Sequence, residues 1–242
     1  MITLYHLSDS RSSRIIWLLE ELKVPYDLKQ YNRVGGRSPA EFYNLSPLGK
    51  SPVLVDDGRS YIESGAVIEH LVRKYGRNFK PSEQDIPHLE KYDFWMHYAE
   101  GSLMMLVVGL FVNSKAVEMS PFLSRFLVRK VTDTINDHYY MKEIFLNLDH
   151  VDDYLATSRY FAGDRFTAAD VQMSYPLLCL QSSVLNTRPY PNIRRWLKDI
   201  GSRPAFVVAS GKSNDRNFQV HKETKHYKEE EEPDMSSFSI SA

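Results

Sequence analysis

Asn44-Leu45-Ser46-Pro47-Leu48-Gly49-Lys50-Ser51-Pro52-Val53-Leu54-Val55-Asp56-Asp57-Gly58 is the stretch that decides the fold of the first third of the chain. Two prolines and a glycine shape a loop, and the loop runs straight into a β-rich segment. Asp57-Gly58 is a strong hairpin-turn dipeptide, so Pro52 to Asp56 and Ser60 to Ile62 read as paired strands. A cis Ser51-Pro52 bond would leave the Ser51 backbone N–H and C=O free to pair with an extended peptide, and Lys50 could meet a carboxylate. The plain alternative is an ordinary loop with a trans bond.

Upstream, Ile2 to His6 is short and β-rich. Polar residues from Ser8 to Ser13 follow, and then Ile15, Leu18, Leu19 and Leu22 recur at helical spacing. Lys23-Val24-Pro25 ends that helix, Tyr26 to Tyr31 reads as a second strand, and Pro39 to Leu45 as a short helix. Downstream of the hairpin, Gly65 to Tyr75 reads as a helix that buries Val67, Ile68, Leu71 and Val72 and turns Ala66, Glu69, His70 and Arg73 outward. Arg73 and Lys74 in its last turn and Gly76 after it are the expected C-terminal chemistry. The order is β-α-β-α-β-β-α. A mixed four-stranded sheet with helices on its faces is the simplest packing that buries these runs.

The first unit therefore covers 1–76, and a polar linker with Pro81 and Pro87 covers 77–87. An all-helical unit is expected over 88–221. Leu123, Leu127, Val131 and Ile135 repeat at i+4 there, and Ile193, Trp196, Leu197 and Ile200 form a helical stripe that Gly201 stops. Thr167-Ala168-Ala169-Asp170 has capping-box spacing, and Pro176 should bend the helix that follows. Residues 222–242, with Glu229 to Glu232, read as a charged, disordered tail.

The chain has 242 residues, 43% hydrophobic and 25% charged, which suffices for a sizeable core. A net charge of -1 gives no global basic field for nucleic acid. Cys179 is a single cysteine, so an intramolecular disulfide is excluded and a reducing compartment suits the chain. The most apolar run, Leu103 to Val112, is shorter than a membrane span, and the N-terminus carries no signal pattern, so a cytoplasmic location is expected. Peripheral membrane association stays open. The histidines show no metal-ligand spacing, and neither a Walker loop nor GxGxxG is present.

Three segments can carry chemistry. Ser8-Asp9-Ser10-Arg11-Ser12-Ser13-Arg14 joins the first strand to the first helix. A helix N-terminus offers free N–H groups and partial positive charge, and a hydroxyl there can donate to an anion, including a thiolate. Lowering a thiol pKa from ~8.5 by two units needs roughly 2.7 kcal/mol, within reach of one good donor plus a helix terminus. The same serines could simply cap the helix. The second segment is the loop around Lys50 and Ser51. The third is Glu63-Ser64-Gly65, where Ser64 could cap the next helix or bind a carboxylate, and Glu63 could pair with an ammonium group.

Quoted in order, SDSRSSRIIWLLEELKVPY, NLSPLGKSPVLVDDG, ESGAVIEHLVRKYG, FTAADVQMSYPL and YPNIRRWLKDIGSRPAF resemble the soluble glutathione transferase superfamily. The likeness runs from Met1 to about Phe218 and is nearest to a fungal and bacterial branch that opens HL-x-x-SRS-x-R. It implies a thioredoxin-like glutathione-binding domain followed by an all-α domain. Glu63 and Ser64 would hold the γ-glutamyl end of glutathione. The Ser51 backbone, before Pro52, would pair with the cysteinyl unit, and Lys50 would face the glycyl carboxylate. Ser10 would bind the sulfur; Ser8 or Ser12 could substitute, and Arg11 could be the sulfur's partner instead.

Tyr98, Ser102 and Met105 would line an electrophile pocket, or else belong to core or dimer interface. The implied enzyme is a homodimeric, cytoplasmic glutathione transferase of detoxification, acting on apolar electrophiles or hydroperoxides and using no metal. A non-enzymatic glutathione-binding or regulatory protein is the alternative. The first loop lacks a cysteine, which disfavours mixed-disulfide chemistry, and Cys179 is expected to pack as a core residue.

Overall fold

A computed structural model describes residues 1–181 and 183–220. Its element order begins β1 (Ile2–Leu7), α1 (Ser13–Leu22), β2 (Tyr26–Tyr31), β3 (Val53–Asp56), β4 (Arg59–Ile62) and α2 (Ser64–Tyr75), with a 3₁₀ turn at Ala40–Asn44. The strands form one sheet in the order β2-β1-β3-β4. β1 runs parallel to β2, with Leu4 opposite Leu28, and antiparallel to β3, with Leu4 opposite Leu54. The β3–β4 hairpin turns at Asp57 (φ 49°) and Gly58 (φ 76°), the paired positive dihedrals that an Asp-Gly turn supplies. The Ser51-Pro52 bond is cis.

The helical part contains α3 (Ile86–Tyr98), α4 (Met105–Met119), α5 (Arg125–Ile135), α6 (Met141–Thr157), α7 (Ala168–Gln181), α8 (Pro191–Gly201) and α9 (Pro204–Ser213). Wide π turns at Ala99–Met104 and Asn136–Tyr140 join α3 to α4 and α5 to α6. One hydrophobic core runs through both parts, from Leu4, Ile15 and Leu54 to Trp95, Phe161 and Trp196. A small satellite of Leu7, Phe42 and Val53 sits beneath the loop before β3.

Helix α1 is covered by α7 and α9 as well as α2, so Ser13 through Leu19 are all buried. Trp17 is the seam. Its ring lies 5.0 Å from Phe206, 5.4 Å from Phe166 and 6.4 Å from Phe218.

Several expectations change. His70 faces inward: it is buried, pairs with Asp56 at 2.8 Å and stacks on Tyr61. A polar side chain can occupy the inner face because that carboxylate is there to receive it. The stripe Leu123, Leu127, Val131, Ile135 is exposed in the single chain. The helix Ile86–Met119 is, by length and composition alone, long and apolar enough to cross a membrane, although the sequence shows no unbroken apolar run of that length. One 18-residue stretch with at most two charged residues produces this, and part of the helix packs on α5, α6 and α7 instead. Asp170 makes the acid half of the expected capping box, while the Thr167 hydroxyl donates to its carboxylate instead of accepting from the Asp170 N–H. Its Oδ2 accepts from the Thr167 N–H (2.9 Å), and its Oδ1 accepts from Phe161 N–H and from Trp196 Nε1. The stretch 222–242, expected as a tail, and His221 before it lie outside the described residues.

Candidate functional site

The loop from Ser8 to Ser12 turns sharply at Asp9 (φ 49°) and delivers Ser10 and Ser12 into a buried position at the start of α1. Ser12 occupies the N-cap, yet its hydroxyl makes no cap bond. That hydroxyl lies 2.6 Å from Nδ1 of His6 and 2.8 Å from the Ser10 hydroxyl. Ser10 Oγ is also 3.2 Å from Ser51 Oγ, so the first loop meets the loop before β3 at these two hydroxyls. Ser13 turns the other way and donates to Asp215, beyond α9. Ser10 Oγ keeps one cap-type bond, from the Ser12 N–H at 3.4 Å, but capping does not account for the Ser12 and Ser13 hydroxyls.

Arg14 is fully buried in the first turn of α1. Its Nη1 donates to the Gln172 carbonyl (2.6 Å), and its Nη2 donates to Ser64 Oγ (2.6 Å) and to Glu100. Arg11 Nε donates to the other oxygen of Glu100 at 2.8 Å. One carboxylate from the π turn after α3 thus gathers two guanidinium groups from the first loop and helix. Burial alone would push the Glu100 carboxyl up, but Arg14 and Arg11 outweigh it and hold it below its ordinary value. Burial lowers the Arg14 guanidinium, against the opposing pull of Glu100.

Ser64 begins α2, but Glu63 is the N-cap, at φ 68°, and Ser64 makes no cap hydrogen bond. The Ser64 hydroxyl is committed to Arg14 instead. Glu63 and Lys50 are exposed, Ser51 is half-buried and Pro52 is buried. Of these, Ser51 is the residue whose side chain meets Ser10.

Tyr98 does not join this cluster. Its hydroxyl donates to Asn147 on α6, and its ring packs with Phe94, Trp95 and His150. Burial pushes its phenol up to about 12. Ser102 is half-buried and Met105 is 57% exposed. Cys179 is half-buried, packed against the core's edge rather than within it, and burial pushes its thiol up to about 12. Such a thiol stays protonated at neutral pH and is a poor nucleophile. A cavity of about 1200 Å³ lies elsewhere, between the end of α2 and the connection to α3, lined by Arg73, Arg77, Glu83 and His88 among others. It touches none of the first-loop residues.

Glu100, His6, Gln172 and Asp215 are the residues that sequence reasoning missed, and Arg14, quoted in the first segment, was given no role. One signal was present: Ile2, Leu4 and His6 alternate on the buried face of β1, so a histidine stands where an apolar residue is expected. Nothing in the text pairs Glu100 or Asp215 with residues some 90 and 200 positions away.

Family models for the glutathione S-transferase N-terminal domain and C-terminal domain match residues 4–79 and 115–204. Glutathione S-transferase 3 of Schizosaccharomyces pombe is 50% identical over 227 residues, covering 94% of each chain. A crystal structure of a glutathione S-transferase from Actinobacillus pleuropneumoniae superposes with a TM-score of 0.72 at 30% identity, covering 88% of this chain and 93% of that one. A theta class enzyme from Xanthomonas axonopodis pv. citri with glutathione bound shares the fold, with a TM-score of 0.68 at 22% identity over 84% of this chain and 94% of its own. A cis-proline loop before β3 and a helical second half, matched along nearly the whole length to such relatives, place this chain in the glutathione S-transferase superfamily as a glutathione transferase.

Proposed function

We propose that glutathione lies along the edge formed by the Ser51 loop, the start of α2 and the first loop. Glu63 faces the γ-glutamyl ammonium and Ser64 its carboxylate, with the Ser64 hydroxyl oriented by Arg14. The Ser51 backbone, ahead of Pro52, pairs with the cysteinyl unit, and Lys50 meets the glycyl carboxylate. The sulfur lies at Ser10, with Arg11 beside it as a cation. The single observation that carries this assignment is the 3.2 Å approach of Ser10 Oγ to Ser51 Oγ. A sulfur is one side chain away from the cysteinyl backbone, so its hydroxyl partner must stand next to the residue that pairs with that backbone.

The thiolate then attacks an apolar electrophile or an organic hydroperoxide. Catalysis comes from positioning and electrostatic stabilisation, without a protein nucleophile. Ser102 and Met105, on the α4 side of the cleft, line the second-substrate pocket, while Tyr98 holds α6. Residues 1–76 are the thiol-holding unit, 77–87 the linker, whose last two residues already begin α3, and the helices from 88 onward the second-substrate unit. The enzyme works in the cytoplasm in detoxification. It acts as a homodimer, which covers the apolar side chains left exposed on α4 and α5.

Calorimetry should detect glutathione binding at or below millimolar levels, and an aryl halide or hydroperoxide should turn over. Ser10→Ala should lower kcat on the order of 100-fold with glutathione affinity nearly kept. Unchanged turnover in that variant would remove Ser10 from the sulfur. Binding without turnover of either substrate would favour a regulatory binding protein.

A further inference from the structure

The hydrogen bonds around Ser10 continue into the protein. From Ser10 Oγ it is 2.8 Å to Ser12 Oγ, and from there 2.6 Å to Nδ1 of His6. His6 ends the buried face of β1 and is 2% exposed. Its Nε2 lies 3.1 Å from the Ser213 carbonyl and 3.5 Å from Oδ1 of Asp215. Among the described residues, Asp215 is the charged group within ion-pair reach of the ring. It is itself buried and held by the Asp9 N–H at 2.6 Å and by the Ser13 hydroxyl. Asp9 in turn accepts from the Arg216 N–H at 3.2 Å. The proposed glutathione contacts use none of His6, Ser12 or Asp215.

The direction of these bonds follows from valence. A carbonyl oxygen only accepts, so the proton of the neutral ring sits on Nε2, facing Ser213. Nδ1 then carries the lone pair, and the Ser12 hydroxyl donates to it. Ser12 has used its proton, so in this state the single Ser10 proton goes to Ser12 at 2.8 Å rather than to Ser51 at 3.2 Å. The Ser10 proton is thereby turned away from the sulfur. In this state Ser10 Oγ can accept from a thiol S–H but cannot donate to a thiolate. It becomes a donor to sulfur only when every proton in the row has moved one place toward the ring.

Resting on the placement of the sulfur at Ser10, we infer that His6 receives the thiol proton of glutathione through Ser10 and Ser12. The S–H bond breaks and its electron pair stays on sulfur. That proton bonds to Ser10 Oγ, the Ser10 proton passes to Ser12 Oγ, and the Ser12 proton bonds to Nδ1 of His6. The result is a thiolate that accepts from Ser10 and an imidazolium whose Nε2–H faces Ser213 and Asp215. One negative and one positive charge appear together, and Asp215 stabilises the positive one. With an aryl halide, sulfur forms the C–S bond and halide leaves with the bonding pair; the His6 proton then returns to Ser12, the Ser12 proton to Ser10, and the proton on Ser10 passes to solvent at the site, which resets the row. His6 and Ser12 act through Ser10, as positioning residues with a proton function.

The test starts with the unaltered enzyme labelled with ¹⁵N in histidine. Ring nitrogens are read by NMR near neutral pH, with and without saturating glutathione, while ultraviolet absorbance follows the thiolate. His6 is expected neutral with its proton on Nε2 before glutathione, and as an imidazolium once the thiolate forms. A thiolate beside a neutral His6 would overturn the relay.

Ser12→Ala breaks the row without touching sulfur. It should raise the apparent thiol pKa of bound glutathione by about one unit or more and lower kcat below neutral pH roughly tenfold, with KM for glutathione nearly constant. Ser12→Thr should restore both. A folded Ser12→Ala enzyme with the wild-type pH profile refutes the relay. If Ser10→Ala then still loses the thiolate, the sulfur's place at Ser10 stands; if Ser10→Ala keeps it, that placement fails and the relay with it.

Discussion

Arg14 carries a charge into the core, and every hydrogen bond it makes ties two parts of the proposed site together. It reaches Ser64 at the start of α2, Glu100 after α3 and the Gln172 carbonyl in α7. A planar guanidinium can serve such divergent acceptors; an ammonium on a flexible stem cannot hold the same set. Arg14→Lys should therefore leave Ser64 poorly oriented. We expect KM for glutathione to rise about tenfold, a loss of about 1.4 kcal/mol of binding, with a smaller change in kcat. Steady-state kinetics at varied glutathione checks this, and an unchanged KM would free Ser64 from any dependence on Arg14. At this scale the text was readable for residue types and blind to partners. The serines, Lys50 and Glu63 stand out in their loops, whereas Glu100 is an ordinary helical glutamate until the chain folds Arg11 and Arg14 against it.

Helix α2 is bound to the sheet through one carboxylate. Asp56, at the end of β3, accepts from His70, Lys74 and the Tyr75 hydroxyl, all on α2. Burial alone would raise the Asp56 carboxyl, but the hydrogen bonds from Lys74, His70 and Tyr75 hold it at about 2, below its ordinary 3.8. A lowered folded pKa means that the unfolded chain binds the proton more readily. The stabilisation is thus complete above about pH 4 and is lost as pH falls toward 2. Asp56→Asn should lower Tm at neutral pH and flatten the acid limb of the Tm–pH curve between those values. Thermal melts of both proteins across that range decide it, and parallel acid limbs would exclude Asp56 as the source. The hairpin and α2 were each legible from spacing and turn chemistry. Their junction was not, because outward placement of His70 followed from counting apolar residues, and a buried carboxylate changes which face a histidine prefers.

The whole molecule is organised around α1, which the sequence presents as amphipathic and the fold buries on all sides along Ser13 to Leu19. The C-terminal elements provide the cover. Arg203 grips Glu21 at 2.6 and 2.8 Å, Phe206 and Phe218 pack on Trp17, and Asp215 closes over the first loop. Residues some two hundred positions apart thereby share one site. The region of α5 is unfinished as a single chain: Phe122 and Leu123 are more than 85% exposed, and Leu127 and Val131 continue the apolar face along α5. The proposed homodimer predicts that Leu127→Glu combined with Val131→Glu shifts the species seen by light scattering from dimer to monomer, with the helical circular dichroism retained. A wild-type protein that is monomeric at micromolar concentration would remove the dimer.

The sequence by itself determined the element order, the hairpin, the helical second half and the loops that hold the candidate thiol site. Those depend on short-range regularities: strand and helix periods, turn dipeptides, caps and prolines. Only the tertiary structure decided which hydroxyl meets which neighbour, that Glu100 unites Arg11 and Arg14, and that His6 and Asp215 stand behind the serines. Hydrogen bonds and ion pairs act over about 3 Å of space irrespective of separation along the chain, so their partners exist only after the core has brought α1, α7 and α9 together.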